Sequence, residues 1–144
     1  MLDRMTPVAI GCTAMALAAL VSNFVMVGMR WATLPDQVPR HFGLSGRPDA
    51  WGGKRIIWTY PVMSLAMFLV VGGVYVMETL VGNMALSPKD AEIVAVIAAY
   101  LAVVMLIITL RTFAVAEKPA DGLGRMFVPV LMLGVIVIVL RYRG

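Results

Sequence analysis

The chain has 144 residues, of which 61% are hydrophobic and 14% charged, with a net charge of +4 and a mean hydropathy of +0.91. An ordinary soluble domain is only about 45–50% apolar, so this composition favours an integral membrane protein. The basic residues collect at the ends of apolar segments, where such residues set membrane orientation, so the positive charge does not indicate nucleic-acid binding.

Four apolar segments, at about 7–29, 56–77, 89–110 and 126–141, divide the chain. The first two carry no charge over about 20 residues, which is enough to cross a hydrocarbon core. The fourth is shorter, but Arg141 and Arg143 can extend its reach by directing their charged ends to the interface. We therefore predict an all-α integral membrane protein. Four transmembrane helices form a single domain, and a structured polar cap at 30–55 lies between the first two.

Local signals refine this outline at a few places. Ser87, Pro88 and Asp90 supply an N-cap, a proline at the first helical position and an acid in the first turn, so the third helix should begin near Pro88. Segment 117–124 is typical of a flexible turn.

Cys12 is the only cysteine, which excludes an internal disulfide, and we interpret it as a small packing residue.

Small residues recur on one face of the first segment and along the third, and such stripes let helices approach closely in lipid. They are Ala14, Ala18 and Ser22, and then Ala91, Ala95, Ala98, Ala99 and Ala102. Packing inside the four-helix bundle is the favoured interpretation. A homo-oligomer formed through these faces of the first and third helices is the alternative.

Few polar side chains fall inside the apolar segments, and they include Ser22, Asn23, Ser64, Tyr100 and Thr109. No charged residue or histidine lies at mid-depth, which argues against a pump or an ion-coupled transporter. Aromatic residues are typical of membrane interfaces, and Trp31, Trp58 and Tyr60 should lie at the same one.

The distribution of Lys and Arg predicts the orientation. With four spans, the side of the termini holds Arg4, Lys89, Arg141 and Arg143. The other side holds Arg30, Arg40, Arg47, Lys54, Arg55, Arg111, Lys118 and Arg125. Basic residues favour the cytoplasm, so the cap is predicted there. The excess of basic groups on the cap side becomes smaller if Arg40 and Arg47 are set aside as functional residues. It becomes smaller again if the N-terminal amine is counted on the side of the termini.

The cap contains the only histidine of the chain, His41, among prolines and glycines. Prolines extend the backbone before them, so 38–42 is predicted to form a short strand-like piece with Val38 and Phe42 on one face and His41 on the other. Gly46 lies in a turn and can adopt positive φ without strain.

The cap lacks the residues that catalysis or zinc binding requires. One histidine with Asp36 and Asp49 is fewer than a typical zinc set, and only Ser45 is a nearby nucleophile. We therefore predict no enzyme, no metal and no cofactor. For His41 two interpretations remain: a structural side chain bonded to Asp49 or to backbone, and a contact for a ligand or partner.

The cap resembles the motif of SdpI-type bacterial membrane proteins, which have an unassigned domain in common. The residues that match are Leu34, Pro35, Pro39, His41, Phe42, Gly46, Asp49, Trp51 and Lys54. The longer members of that family continue into a second domain with a Gly-Ile-Arg-Thr-Pro loop, whereas this chain has only Arg111-Thr112-Phe113. The resemblance therefore implies a short form.

The founding member of that family is an immunity protein that protects a bacterium from its own peptide toxin and, with toxin bound, holds a repressor at the membrane. The resemblance implies a multi-pass protein of the bacterial inner membrane that senses a peptide or antimicrobial ligand through the cap. A non-catalytic accessory subunit of a larger membrane complex is the alternative. The expected contact or cap-forming residues are Pro35, Pro39, His41, Phe42, Gly46, Asp49, Trp51 and Lys54.

Overall fold

A computed structural model describes residues 6–43, 45–81, 87–118 and 127–143. The helices are α1 (Pro7–Arg30), α2 (Thr59–Val81), α3 (Pro88–Glu117) and α4 (Phe127–Tyr142). Between α1 and α2 lie the strands β1 (Gln37–Phe42) and β2 (Pro48–Gly53), followed by a 3₁₀ helix (Lys54–Trp58).

Within the described residues, three helical segments are long and apolar enough to cross a membrane: Pro7–Arg30, Lys54–Val74 and Pro88–Glu117. The helix α4 is apolar but shorter, at 16 residues. The protein is therefore membrane-embedded, with three to four helices that could span the bilayer.

The predicted start of the third helix is confirmed. The Ser87 hydroxyl accepts the Asp90 amide, and the Asp90 carboxylate accepts the Ser87 amide in return, with Pro88 at the first position. The far end of α3 differs from the prediction, because the helix continues through Arg111 to Glu117. Phe113 and other buried residues in this last part explain the extension. The rest of the predicted turn, 119–124, lies outside the described residues.

The bundle is organised by α1 and α3, which run parallel to each other. The Thr6 hydroxyl donates to the Glu92 carboxylate at one end, and Arg30 pairs with Glu117 at the other. Between these ends, alanines from both helices form a buried cluster: Ala16 and Ala19 with Ala99 and Ala102. Because alanine has no side chain beyond Cβ, the two backbones approach closely over this length.

The small-residue prediction is confirmed for α3 and wrong for α1. The five alanines of α3 are all buried, but Ala14, Ala18 and Ser22 are exposed. The side of α1 that meets its neighbours carries Ala9, Ala16, Ala19, Leu20, Asn23 and Val27. Positions 14 and 18 are each two residues from Ala16, so they lie about 200° around the helix and face away from α3.

Four polar side chains of the described residues are buried in the bundle: Asn23, Ser64, Thr109 and Thr112. The Thr112 hydroxyl donates to the Ile108 carbonyl. The Ser64 and Thr109 hydroxyls donate to the carbonyls of Tyr60 and Met105, four residues earlier in their own helices. Neither the nitrogen nor the oxygen of the Asn23 amide has a partner among the described residues. Apolar packing, rather than this amide, therefore holds the middle of α1 in place.

The helix α4 lies against α3 with most of its side chains exposed. The Tyr100 hydroxyl donates to the Leu131 carbonyl, and the Tyr142 hydroxyl donates to Glu92. Gly134 leaves room for the Tyr100 ring, since a Cβ there would lie 2.5 Å from the ring. Beside these contacts is an apolar cavity of about 240 Å³ lined by Ile97, Tyr100, Leu101, Val135, Ile138 and Val139.

The second buried cluster joins the cap to the bundle. It contains Val27 of α1, Leu34, Val38 of β1, Ile57 of the 3₁₀ helix and Phe113 of α3. Five separate segments of the chain thus meet at one end of α1 and α3. The cap is consequently fixed to the helices from beneath by burial of apolar surface.

The aromatic residues predicted to share an interface lie at this same end. The rings of Trp31 and Trp58 are 5.9 Å apart, and the Phe24 ring is 6.2 Å from Trp58. Tyr60 packs against the same cluster. Because such rings favour the membrane interface, they mark the level at which the helices give way to the cap.

Candidate functional site: the hairpin cap

The cap is an antiparallel hairpin whose register is interrupted twice. The Cα partners are Gln37 with Gly53, Val38 with Gly52, Pro39 with Trp51, His41 with Ala50, and Phe42 with Pro48. Arg40 is therefore an extra residue on β1, and Asp49 is an extra residue on β2. Bulges of this kind increase the twist of a strand and redirect side chains. The strand-like piece predicted at 38–42 is confirmed as β1, whereas β2 was not predicted.

Backbone hydrogen bonds close both ends of the hairpin. In the turn, the Gly43 amide donates to the Arg47 carbonyl at 2.9 Å and the Gly46 amide to the Gly43 carbonyl at 2.8 Å. At the base, the Lys54 amide donates to the Asp36 carbonyl at 2.9 Å. Gly46 has φ of 73°, as its position in the turn predicts. Leu44 lies outside the described residues.

Gly46→Ala should destabilise the protein, because a residue with a Cβ loses about 1–2 kcal/mol in this left-handed conformation. Gly53→Ala is the matched control, since Gly53 has φ of −59° and open space around its Cβ position. Chemical unfolding of the purified chain in detergent would measure both. Equal losses in the two variants would contradict a special role for the turn.

The inner residues of the hairpin hold it on the bundle. Val38 and Pro39 are buried, and Phe42 is half-buried. The expected placement of Val38 and Phe42 away from His41 fits these exposures. The simple alternation fails at Pro39, because the Arg40 bulge shifts the strand.

His41 and Asp49 form a pair on the surface of the cap. The His41 Nδ1 and Asp49 Oδ1 atoms are 2.6 Å apart, and the two side chains are 69% and 52% exposed. The Asp49 partner was one of the predicted alternatives. Exposed polar pairs of this kind contribute little to folding, so this pair is displayed rather than used to hold the hairpin.

The remaining predicted site residues have different surroundings. The Lys54 Nζ atom lies 3.8 Å from Asp36 and 5.3 Å from the centre of the Trp31 ring, so Lys54 ties the hairpin base to the end of α1. Trp51 is 40% exposed on β2, next to Ala50, the register partner of His41. Pro35 is exposed in the connection that enters the hairpin.

Six of the eight predicted site residues separate into two groups. Pro39, Gly46 and Lys54 shape or anchor the hairpin, whereas His41, Asp49 and Trp51 are displayed. Sequence reasoning did not identify Val38, Ile57 and Phe113 as the buried residues that join the cap to the bundle. These residues lie far apart along the chain. An apolar Val38 within a polar segment was the one signal that could have indicated an anchor.

The chemistry available in the cap is limited. Across the described ranges, no three His, Cys, Asp or Glu side chains come together in a way that could hold a metal ion. Ser45 is exposed in the turn, and no hydrogen bond joins its hydroxyl to His41 within the part of the chain that the structure describes. The side chains that the hairpin exposes include the imidazole–carboxylate pair of His41 and Asp49 and the indole of Trp51.

These features define a membrane-embedded helical protein with an ordered hairpin cap. Residues 18–65, about one third of the chain, match the model of a family described as a domain of unknown function (DUF1648). The match extends from the second half of α1 through the hairpin into the first turns of α2. No curated protein and no solved structure matches the chain.

Proposed function

We propose that this chain is a small bacterial inner-membrane protein of the SdpI-like type that recognises a ligand through its cap, as an immunity protein recognises a peptide toxin or antimicrobial compound. The observation that carries this proposal is the exposed His41–Asp49 pair on a hairpin anchored from beneath. Trp51, exposed on the neighbouring strand, supplies a large amphipathic surface of the kind enriched at recognition sites.

The inner and outer sides of the hairpin have different roles, and this difference supports recognition over a purely structural cap. The inner side already supplies the burial that fixes the fold, through Val38 and Ile57. The outer polar pair adds little to that stability, and yet it is ordered by two bulges that present its members to each other. A ligand could bind this surface without unfolding the protein.

The proposal includes four spans, with α4 crossing the bilayer as a short helix. Arg141 and Arg143 at its end can reach the interface. The excess of Lys and Arg then places the cap in the cytoplasm. In that orientation the cap meets a toxin or antimicrobial compound that has entered the membrane, or a membrane protein partner.

The test is protection of a sensitive bacterium that expresses the full chain against a panel of secreted bacterial peptides that act on membranes. The wild-type protein should raise the inhibitory concentration of at least one peptide. A few residues at the centre of an interface each contribute about 2 kcal/mol or more to binding, and we expect His41 and Trp51 to be such residues. His41→Ala and Trp51→Ala should therefore each abolish protection while the amount of protein in the membrane stays unchanged.

The matched control is Gln37→Ala, an exposed position at the start of the same hairpin, which should protect as the wild type does. Absence of protection by the wild-type chain across the panel would overturn the proposal. Loss of the variant proteins from the membrane would also contradict it, because His41 or Trp51 would then be structural.

A second candidate function, an accessory subunit in a larger membrane complex, is favoured by the faces that the bundle leaves uncovered. Ala14, Ala18 and Ser22 are exposed on α1, and most of α4 is exposed as well. Such faces can pack against another membrane protein or a second copy. Cross-linking through Ala18→Cys in a Cys12→Ala background would reveal a homo-oligomer, and a product only with a different protein would favour the accessory role.

A further inference from the structure

The end of the bundle that carries the cap has an excess of positive charge. Its described basic residues are Arg30, Arg40, Arg47, Lys54, Arg55, Arg111 and Lys118, and its described acids are Asp36, Asp49 and Glu117. Seven basic against three acidic residues leave a net charge of +4, with His41 counted as neutral. At the opposite end, the described side chains of Lys89, Arg141 and Arg143 are offset by Asp90 and Glu92, which leaves +1.

Two of the three described acids at the cap end lie beside a cation, and the third lies beside the histidine. Glu117 pairs with Arg30, Asp36 lies 3.8 Å from Lys54, and Asp49 lies 2.6 Å from His41. At the cap end, the exposed cations that form no ion pair with a described residue are Arg40, Arg47, Arg55, Arg111 and Lys118. The acids therefore do not neutralise this basic surface from within.

On this surface, the side chain of Arg40 is held in place by packing against the opposite strand. Arg40 is the extra residue of the β1 bulge, and its stem lies along Gly52. A Cβ at Gly52 would lie 3.4 Å from the Arg40 Cδ and 3.6 Å from its Cβ. The absence of a side chain at position 52 thus gives the Arg40 stem a surface on which to pack, while the residue stays exposed.

Arg47 lies in the turn of the hairpin, and the other cations lie where the helices meet the cap. Arg55 lies in the 3₁₀ helix that also contains Trp58, and Arg111 lies in the last two turns of α3. The neighbouring tryptophans are typical of the headgroup level of a bilayer. Guanidinium groups at that level can bind phosphate oxygens through two parallel hydrogen bonds.

We propose that Arg40, Arg47, Arg55, Arg111 and Lys118 form a docking surface for the headgroups of anionic phospholipids in the leaflet beside the cap. The opposite charges of the basic side chains and the lipid headgroups provide the attraction. The aromatic residues fix the depth at which this end of the bundle lies in the bilayer. This surface uses none of the side chains of the His41–Asp49 pair. It therefore does not depend on the proposed recognition function, and Arg40 and Arg47 variants test it separately from His41→Ala.

The test compares binding of phosphatidylglycerol and phosphatidylcholine to the purified full chain in neutral detergent, by native mass spectrometry at several lipid concentrations. The wild type should bind phosphatidylglycerol more tightly, and the difference should shrink as salt is added. Each basic residue near an anionic surface contributes a factor of about five. The double variant R40Q/R47Q should therefore lose about thirty-fold in affinity for phosphatidylglycerol.

The matched control is R141Q/R143Q at the other end of the bundle. There the negative charge of Glu92 interacts electrostatically with Arg141. This control variant should bind as the wild type does, and R40K/R47K, which keeps both charges, should retain most of the affinity. Equal affinity for the two lipids, equal losses in both glutamine variants, or displacement of the lipid by inorganic phosphate at a matching concentration would overturn the proposal.

Discussion

Replacing Ile57 with alanine is expected to destabilise the protein by about 2–5 kcal/mol, the range typical of a fully buried large-to-small change. Ile57 is 0% exposed and lies in the cluster that joins α1, β1 and α3. Its loss leaves a cavity under the hairpin, because the surrounding helix ends are held apart by their own contacts. The cap should then become sensitive to proteolysis before the helices unfold.

The measurement is the unfolding free energy of the purified chain in detergent, combined with limited proteolysis of the cap. Ile107→Ala is the matched control, because the same atoms are removed from a residue that is 39% exposed on α3. Its effect should stay within about 0.5 kcal/mol, as for other exposed positions. Equal effects at Ile57 and Ile107 would show that the cap does not depend on this cluster.

Ala99→Leu is expected to disrupt the parallel contact of α1 and α3. Ala99 is 1% exposed and packs in the cluster that includes Ala16 and Ala19. A leucine there requires the two backbones to separate, and overpacking of a close contact costs about 1–3 kcal/mol or more. The strain should reach the cap as well, because the same two helices support it.

Ala14→Leu makes the same change on the exposed side of α1 and should be tolerated. Thermal unfolding in detergent would separate the two variants by their melting temperatures. A large loss from Ala14→Leu with little from Ala99→Leu would contradict the observed face of α1. It would instead place the packing surface on the stripe that contains Ala14 and Ala18.

The features that follow from local chemistry were predictable from the sequence. The Ser87–Asp90 capping box sets the start of α3, and the turn at Gly46 needs positive φ, because in both places neighbouring residues decide the conformation. The strand at 38–42 follows from the prolines before and within it.

Features that depend on distant partners were not predictable in the same way. Along α1 two sets of small residues have helical spacing, and only contact with α3 selects Ala16 and Ala19 over Ala14 and Ala18. The extension of α3 likewise depends on burial of Phe113 against Val27 and the cap. The β2 strand was missed, because Gly52 and Gly53 are residues of a type that is unfavourable in strands.

For the candidate site, the sequence offered Asp49 as one of the possible partners of His41 but did not indicate the setting of the pair. His41 and Asp49 lie eight residues apart around a turn, so a hairpin brings them together. Their exposure depends on the bulges at Arg40 and Asp49, which no sequence signal marked.

The central claim is that the hairpin is held from beneath and displays His41 and Asp49 without depending on them. The most direct test is the unfolding free energy of His41→Ala against the wild-type chain in the same detergent. The two should agree within about 1 kcal/mol, as expected for an exposed pair. A loss as large as that of Ile57→Ala would contradict the claim, because the pair would then be part of what holds the cap.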